Sequence, residues 1–356
     1  MRIGIPREIK TLEGRVALIP AACADLVANG HEVFIETDAG ILSGYRNDDY
    51  QAVGVKVLPS SRAIYEAARL ILKVKEPLGS EWEFLRSDHL LFCFLHLAAE
   101  AELMKALLDI GLTAIGFETI EQNGELPLLK PMSMIAGRLA TQVGATLLMQ
   151  PQGGQGILMG GLGAGVRGNV VVIGAGMAGS QAALMASAMG ANVTIFDTQW
   201  ERLQAMQSQA NNITALYAYK EAIKELLPQT NLLIGAVLVI GQRAPHVVDK
   251  AMIEMMQAGS AVIDISVDQG GCIETTKPTT YAIPTYTYHD VTHFAVTNMP
   301  GAVPRTASQA LSAVLLPYVN QLAQDNWRDN IILTKGINVE NGKIVHPALQ
   351  LNSIKL

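Results

Sequence analysis

The chain has 356 residues, 49% hydrophobic and 16% charged, which excludes a disordered polymer and leaves room for two domains with separate cores. A net charge of −6, a pI near 5.7 and the lack of any basic run exclude a phosphate-backbone partner such as a nucleic acid.

The N-terminus MRIGIPREIK enters a strand at once, so no apolar region of a signal peptide is expected. Three cysteines, Cys23, Cys93 and Cys272, are an odd number without metal-like spacing, and we expect a reducing cytoplasm with all three in the core. RIGIP is followed by RVALIPAACADLVANG, EVFIET, a Gly/Asp-rich turn and VKVLP. A short helix, ARLILKVKEP, HLLFCFLHLA, the helix AELMKALLDIG and TAIGFETI come next. Short apolar strands separated by helices imply a parallel sheet, here without a glycine fingerprint. From Pro131 the sequence PMSMIAGRLATQVGATLLMQ turns helical, with Ser133 placed to cap its start, as a connection into a second domain. Leu139 to Val166 and Gly168 to Phe196 lack charges, yet glycines and polar residues interrupt both, so they read as buried core rather than membrane spans.

Val170 to Asp197 is the most informative stretch. A β-branched run meets Gly174, Gly176 and Gly179, with Met177 and Ala178 between the last two, then a helical segment and a second strand ending in Asp197. This is the βαβ unit with a G-x-G-x-x-G turn. The first glycine permits the tight turn, the second lets a pyrophosphate approach, and the third lets helix rest on strand. Asp197 stands about twenty positions beyond the first glycine, where a carboxylate accepts from ribose hydroxyls and repels a 2′-phosphate, which favours NAD over NADP. Arg202, on the next turn, belongs beside the adenine or on the surface. The βα rhythm resumes with ERLQAMQSQA, NLLIGAVLV, VVDKAMIEMMQAG and SAVIDISVDQGG. SQALSAVLLPYVNQLAQDNW is again helical and is expected to lead back onto the first domain, before a turn-rich tail with an Asn-Gly hairpin signal.

Ligands of such sheets bind beyond the carboxyl ends of strands, so polar residues there are the candidates. Lys73 and Lys75 close one strand on the same face and either hold a substrate carboxylate or emerge into water. Arg15 has the same two readings. His96, at the edge of an apolar run, suits proton transfer or sits as a hydrogen-bonded core histidine. Asp264 and Asp268 share a face of the strand AVIDISVDQGG, Asp264 as a structural acceptor and Asp268, at its end, as the chemical candidate. HDVTH, His289 to His293, mimics a zinc-protease motif, but its Thr/Tyr/Val-rich setting reads as strand or loop and no metal site is expected.

With those residues in view, the chain resembles the NAD-dependent alanine dehydrogenases of the alanine dehydrogenase/pyridine nucleotide transhydrogenase family. The motifs are MRIGIPREIK, GRVALIP, LKVKEP, LHLAA, LPLLKPMS with AGR, GAGMAG with its Asp, IGAVL, VDQGGC and NMPGAVPRT. The resemblance implies two Rossmann-like, doubly wound α/β domains. The substrate domain is discontinuous, 1–128 with 305–356, around an NAD domain at 129–304, usually in a homohexamer. It implies reversible oxidative deamination of L-alanine to pyruvate and ammonia with hydride transfer to NAD. Another small or N-alkyl L-amino acid, or a non-catalytic transhydrogenase-like component, is the alternative. By matching motif, Arg15 and Lys75 hold the carboxylate and His96 and Asp268 handle protons. Ser133, Asp197, Arg202, Leu238, Val239, Val267, Asn298 and Met299 line the cofactor site. The sequence departs from the family pattern at Gly14 (usually Asn), Phe94 (usually Tyr), Met134 (commonly Glu) and Lys277 (commonly Arg).

Overall fold

A computed structural model describes residues 1–238 and 244–353. The chain divides into two compact units, Met1–Met132 with Gly301–Leu356, and Ser133–Pro300. Strands are numbered in chain order. The first unit begins with β1 (Arg2–Ile5), β2 (Glu32–Glu36), β3 (Lys56–Leu58), β4 (Leu70–Leu72), β5 (Leu90–Cys93) and β6 (Thr113–Gly116). The second holds β7 (Asn169–Ile173), β8 (Asn192–Asp197), β9 (Ile213–Tyr217), β10 (Leu232–Gly235), β11 (Ala261–Asp264), β12 (Thr285–Tyr288) and β13 (Val291–Phe294). The chain then returns to the first unit through β14 (Ile337–Glu340) and β15 (Lys343–Ile344).

Both sheets share one plan. The first runs β15-β14-β6-β5-β4-β1-β2-β3 and the second β12-β13-β11-β10-β7-β8-β9, so each holds six parallel strands in the order 3-2-1-4-5-6. Strand order reverses between β1 and β4 in one unit and between β7 and β10 in the other. The sheets are mixed rather than wholly parallel. β14 adds antiparallel to β6, and tight hairpins pair β15 antiparallel to β14 and β12 antiparallel to β13. Asn341 and Gly342, both at positive φ, form one two-residue loop, and His289 and Asp290 the other.

The central strands are apolar on both faces, as helices covering both sides of a parallel sheet require. Ile71, Leu91, Leu107 and Ala114 are fully buried in the first core, and Ile223, Leu233, Val262 and Ile273 in the second. Each large aliphatic among them contributes about 1.5–3 kcal/mol. One expected detail differs. The connecting helix spans Lys130–Leu147, so Ser133 lies inside its first turns instead of capping it; Pro131 needs no N–H partner there. The helix after the second unit spans Pro304–Leu322 and carries Pro317 in its interior. Among the described residues no helix is long and apolar enough to cross a membrane.

Candidate active site

In the first unit the chemistry-bearing side chains follow β1, β4 and β5, beyond their carboxyl ends at the switch point. Arg15 is 2% exposed and lies against its near neighbour Glu13. Its Nε donates to Glu13 Oε1 at 2.7 Å, its Nη2 pairs with Oε2, and its Nη1 lies 3.2 Å from Met132 Sδ. Bidentate pairing of this kind fixes the plane of a guanidinium. A cavity of about 500 Å³ opens beside it, with Arg7, Glu8, Glu13 and Asp38 among its polar walls.

Lys73 and Lys75 do not share a face. β4 ends at Leu72 and the chain bends, so Lys73 turns into the interior. There it is 1% exposed, 3.0 Å from Glu81 Oε1 and 3.4 Å from Glu8 Oε2. The solvated reading therefore fails for Lys73, whose two carboxylates outweigh its burial and raise its pKa. Lys75 is half-buried, and its pKa is lowered by burial and by the charge of Arg15. Two cations thus share one local field, which suits the carboxylate of a small substrate. Lys75 Nζ sits 6.0 Å from the centroid of the buried Phe94 ring.

His96 is not a core histidine. Its side chain is 43% exposed, its backbone adopts φ +50°, and its ring stacks on Phe94 with centroids 5.9 Å apart. A left-handed backbone is uncommon for such a residue and needs outside support. Glu118 supplies it, accepting from the main-chain N–H of His96 at 2.7 Å and of Leu95 at 3.1 Å. Glu76, 3% exposed, places Oε2 3.3 Å from His96 Nδ1 and pairs with Lys10 through Oε1. Burial pushes the Glu76 pKa up, but the hydrogen bonds from His96 and Lys10 prevail and hold it down at about 2, so the carboxylate is ionised. A carboxylate at Nδ1 directs Nε2 away from itself, the arrangement by which imidazoles are oriented for proton transfer.

Sequence reasoning misses Glu13, Glu76 and Glu118. Two of their bonds join residues far apart in the chain, and the third, Glu13, precedes Arg15 by too little to stand out. Gly14 also gains an explanation: a Cβ there would come within 3.0 Å of Leu42 Cβ and 3.3 Å of Pro304 Cβ, so an Asn side chain would force these neighbours apart.

In the second unit the glycine turn comes directly after β7. Gly174 has φ +99°, and a Cβ on Gly179 would fall 1.7 Å from Gly174 O, so only glycine lets the helix Met177–Ala188 approach the strand. Gly176 caps that helix and differs: the nearest atom to a Cβ there is Arg202 Nη1 at 3.8 Å, leaving open space before the helix N-terminus. Met177 is exposed there, and Ala178 carries the carbonyl against which Gly137 of the Lys130–Leu147 helix rests. Asp197 ends β8, 7% exposed, with Oδ2 accepting from Ala175 N–H at 2.7 Å, Oδ1 from Gln199 N–H at 2.8 Å, and Arg202 Nη1 at 3.6 Å. An open cradle of N–H groups beside an acidic strand end fits a dinucleotide's pyrophosphate and ribose.

Leu238 comes after β10 and is exposed, whereas Val239 lies outside the described residues. Asp264 and Asp268 do not share a strand: β11 ends at Asp264, and Val267 and Asp268 sit in the single turn Val267–Gln269 beyond it. The strand cannot continue because Asp264 turns its carboxylate back to accept from Ser266 N–H at 2.9 Å, Cys272 N–H at 2.9 Å and Thr276 Oγ1 at 2.7 Å. Asp268 is exposed on the turn that Asp264 holds. Asn298 adopts φ +62°, Met299 accepts from Tyr281 Oη at 2.8 Å, Ser133 is half-buried, and Lys277 lies 4.6 Å from the Tyr286 ring centroid. His289 occupies the β12–β13 turn, while His293 is buried on β13 with Nε2 against Thr275 Oγ1 at 2.7 Å, so the two do not form a helical pair.

Strand order, glycine turn and Asp197 together define a dinucleotide-binding α/β protein. Family models described as the alanine dehydrogenase/PNT N-terminal and C-terminal domains match residues 4–136 and 140–347. Alanine dehydrogenase of Bacillus subtilis is 43% identical over 355 residues, covering 98% of this chain and 94% of that protein. That of Geobacillus stearothermophilus is 44% identical over 356 residues, covering 98% and 95%. A solved L-alanine dehydrogenase superposes with a TM-score of 0.97 at 46% identity, covering 100% of this chain and 99% of that one. A transhydrogenase from Sinorhizobium meliloti, 24% identical with a TM-score of 0.84, shares the fold. The chain belongs to the alanine dehydrogenase/PNT family.

Proposed function

We propose how this enzyme divides the work of its reaction, the NAD-dependent oxidative deamination of L-alanine to pyruvate and ammonia. Arg15 and Lys75 take the substrate carboxylate, Arg15 held in plane by Glu13 and Lys75 carried by the backbone beyond β4. Two cations on one carboxylate fix the direction of the Cα–H bond and turn encounter into a near-attack arrangement. Bound NAD supplies the hydride acceptor, and Gly174, Gly176, Met177, Ala178, Gly179 and Asp197 of the second unit would hold it, with Ser133, Arg202, Leu238, Val239, Val267, Asn298 and Met299 lining its site. His96 and Asp268 handle protons: one must leave the ammonium before Cα is oxidised, another must leave the water that adds to the imine, and a third must reach departing ammonia. Run in reverse, the same groups aminate pyruvate. The first unit acts as substrate domain and the middle of the chain as NAD domain, in a cytoplasmic homohexamer.

The observation that carries this reading is the pair of cations sharing a field beside a histidine whose Nδ1 is held by an ionised carboxylate. The direct test is NADH formation from NAD and L-alanine at alkaline pH, run beside other small and N-alkyl L-amino acids. Turnover best with L-alanine, and lost in Lys75→Ala and His96→Ala, is expected. Full activity in both variants would place the chemistry elsewhere.

A further inference from the structure

The reversal of strand order between β1 and β4 leaves a gap in backbone pairing. β1 pairs with β4 at Ile3↔Leu70 and Gly4↔Ile71 and then diverges, so N–H groups beyond Leu72 that face β1 have no strand to accept them. A side chain takes the strand's place. Glu8, three residues past the end of β1, reaches across with Oε1 2.6 Å from Val74 N and Oε2 3.4 Å from Lys75 N. Its side chain is 4% exposed and Lys73 Nζ stands 3.4 Å from Oε2. Lys73 is itself pinned by Glu81, which accepts from Tyr65 Oη at 3.0 Å and from Leu78 N–H at 2.9 Å. Glu8 also lines the cavity beside Arg15.

We propose that Glu8 is a positioning residue of the substrate site, fixing the backbone of Lys75 so that its ammonium meets the substrate carboxylate. The inference rests on the assignment of Arg15 and Lys75 as carboxylate holders and adds the element that aims one of them. A buried anion so close to a carboxylate site would by itself repel the substrate. Two features reduce that repulsion: Lys73 lies against Glu8, and burial outweighs the pull of Lys73 and lifts the Glu8 pKa to about 7, with Glu13 and Glu81 as the other charges that bear on it. Glu8 touches no substrate atom in this scheme; it acts through Lys75.

Steady-state kinetics of pyruvate amination by the full-length protein tests this with Glu8→Gln, which keeps the shape and one acceptor but loses the second. The expected result is a pyruvate KM raised about tenfold or more, kcat within about threefold of the parent and NADH KM unchanged, the signature of lost substrate binding. Amide exchange at Val74 and Lys75 should accelerate in the same variant. An unchanged pyruvate KM, or a fall in kcat alone, overturns the proposal. So does failure of Glu8→Gln to fold, because Glu8 would then serve the fold rather than the site. Lys75→Ala separates the two levels: if it leaves pyruvate KM untouched the carboxylate-holder reading falls, whereas if it raises KM and Glu8→Gln does not, only the role of Glu8 falls.

Discussion

Glu76 and His96 show how much one carboxylate sets at this site. The groups bearing on the imidazole are Glu76 at Nδ1, Glu118 on the backbone N–H, Lys10 on the far oxygen of Glu76, and Lys75 across the Phe94 ring. Of these only Glu76 touches the ring as an anion, so it fixes the orientation and tautomer of the imidazole. Glu76→Gln keeps the size and removes the charge. Losing one charge-assisted hydrogen bond costs about 1.5–3 kcal/mol, or roughly ten- to a hundredfold in kcat/KM for pyruvate. An unchanged kcat/KM in Glu76→Gln would show that the pair is ornamental. Stability carries a second sign of the same interaction. Because the Glu76 pKa falls from 4.5 to about 2 on folding, its contribution is in place above 4.5 and is lost as pH falls toward 2. Acid unfolding of the parent should steepen in that window relative to Glu76→Gln, as circular dichroism against pH would show.

The βαβ element makes its own prediction, because its glycines are present for different reasons. Gly179→Ala would drive a methyl into the Gly174 carbonyl, backbone against backbone, and push the Met177–Ala188 helix off β7. Overpacking of this kind costs about 1–3 kcal/mol and should lower the melting temperature. Gly176→Ala meets no such obstacle, so the melting temperature should stay while NAD affinity, read by calorimetry, drops at least about tenfold, which is about 1.4 kcal/mol. Equal melting and equal affinity in Gly176→Ala would remove the anion from that place. The element is legible in the sequence because its signals are local: a β-branched run, three glycines at fixed spacing and an acid at the next strand's end. The Asn341-Gly342 hairpin is legible for the same reason. Features that depend on partners distant in the chain escape. Lys73 reads as a strand end in water because Glu8 and Glu81, which bury it, lie on other elements. Asp264 reads as mid-strand because the backbone it caps, Ser266 to Thr276, folds back only after the strand has ended. The candidate cations and His96 can be picked from strand-end positions, but the carboxylates that orient them cannot.

At the scale of the molecule, two sheets of one strand order differ in the segment that leaves the first strand of each. After β7 comes a tight glycine turn into a helix, open to an anion; after β1 comes a longer polar segment carrying Glu8, Lys10, Glu13 and Arg15 before its helix begins at Pro20. Each unit has its own buried core, so ligand binding should be felt first in the unit that binds. A ligand present at a hundred times its Kd stabilises the state it binds by about 2.7 kcal/mol, which slows exchange through opening of that unit roughly a hundredfold. Native-state hydrogen exchange can read this strand by strand. With NAD alone, amides of β7, β8, β10 and β11 should gain protection of that order, and those of β1, β2, β4 and β5 much less. If protection rose equally in both sheets, the two units would open as one cooperative block. If it rose only in β1 to β6, the dinucleotide would belong to the other sheet, and the roles given to Gly176 and Asp197 would fall with it.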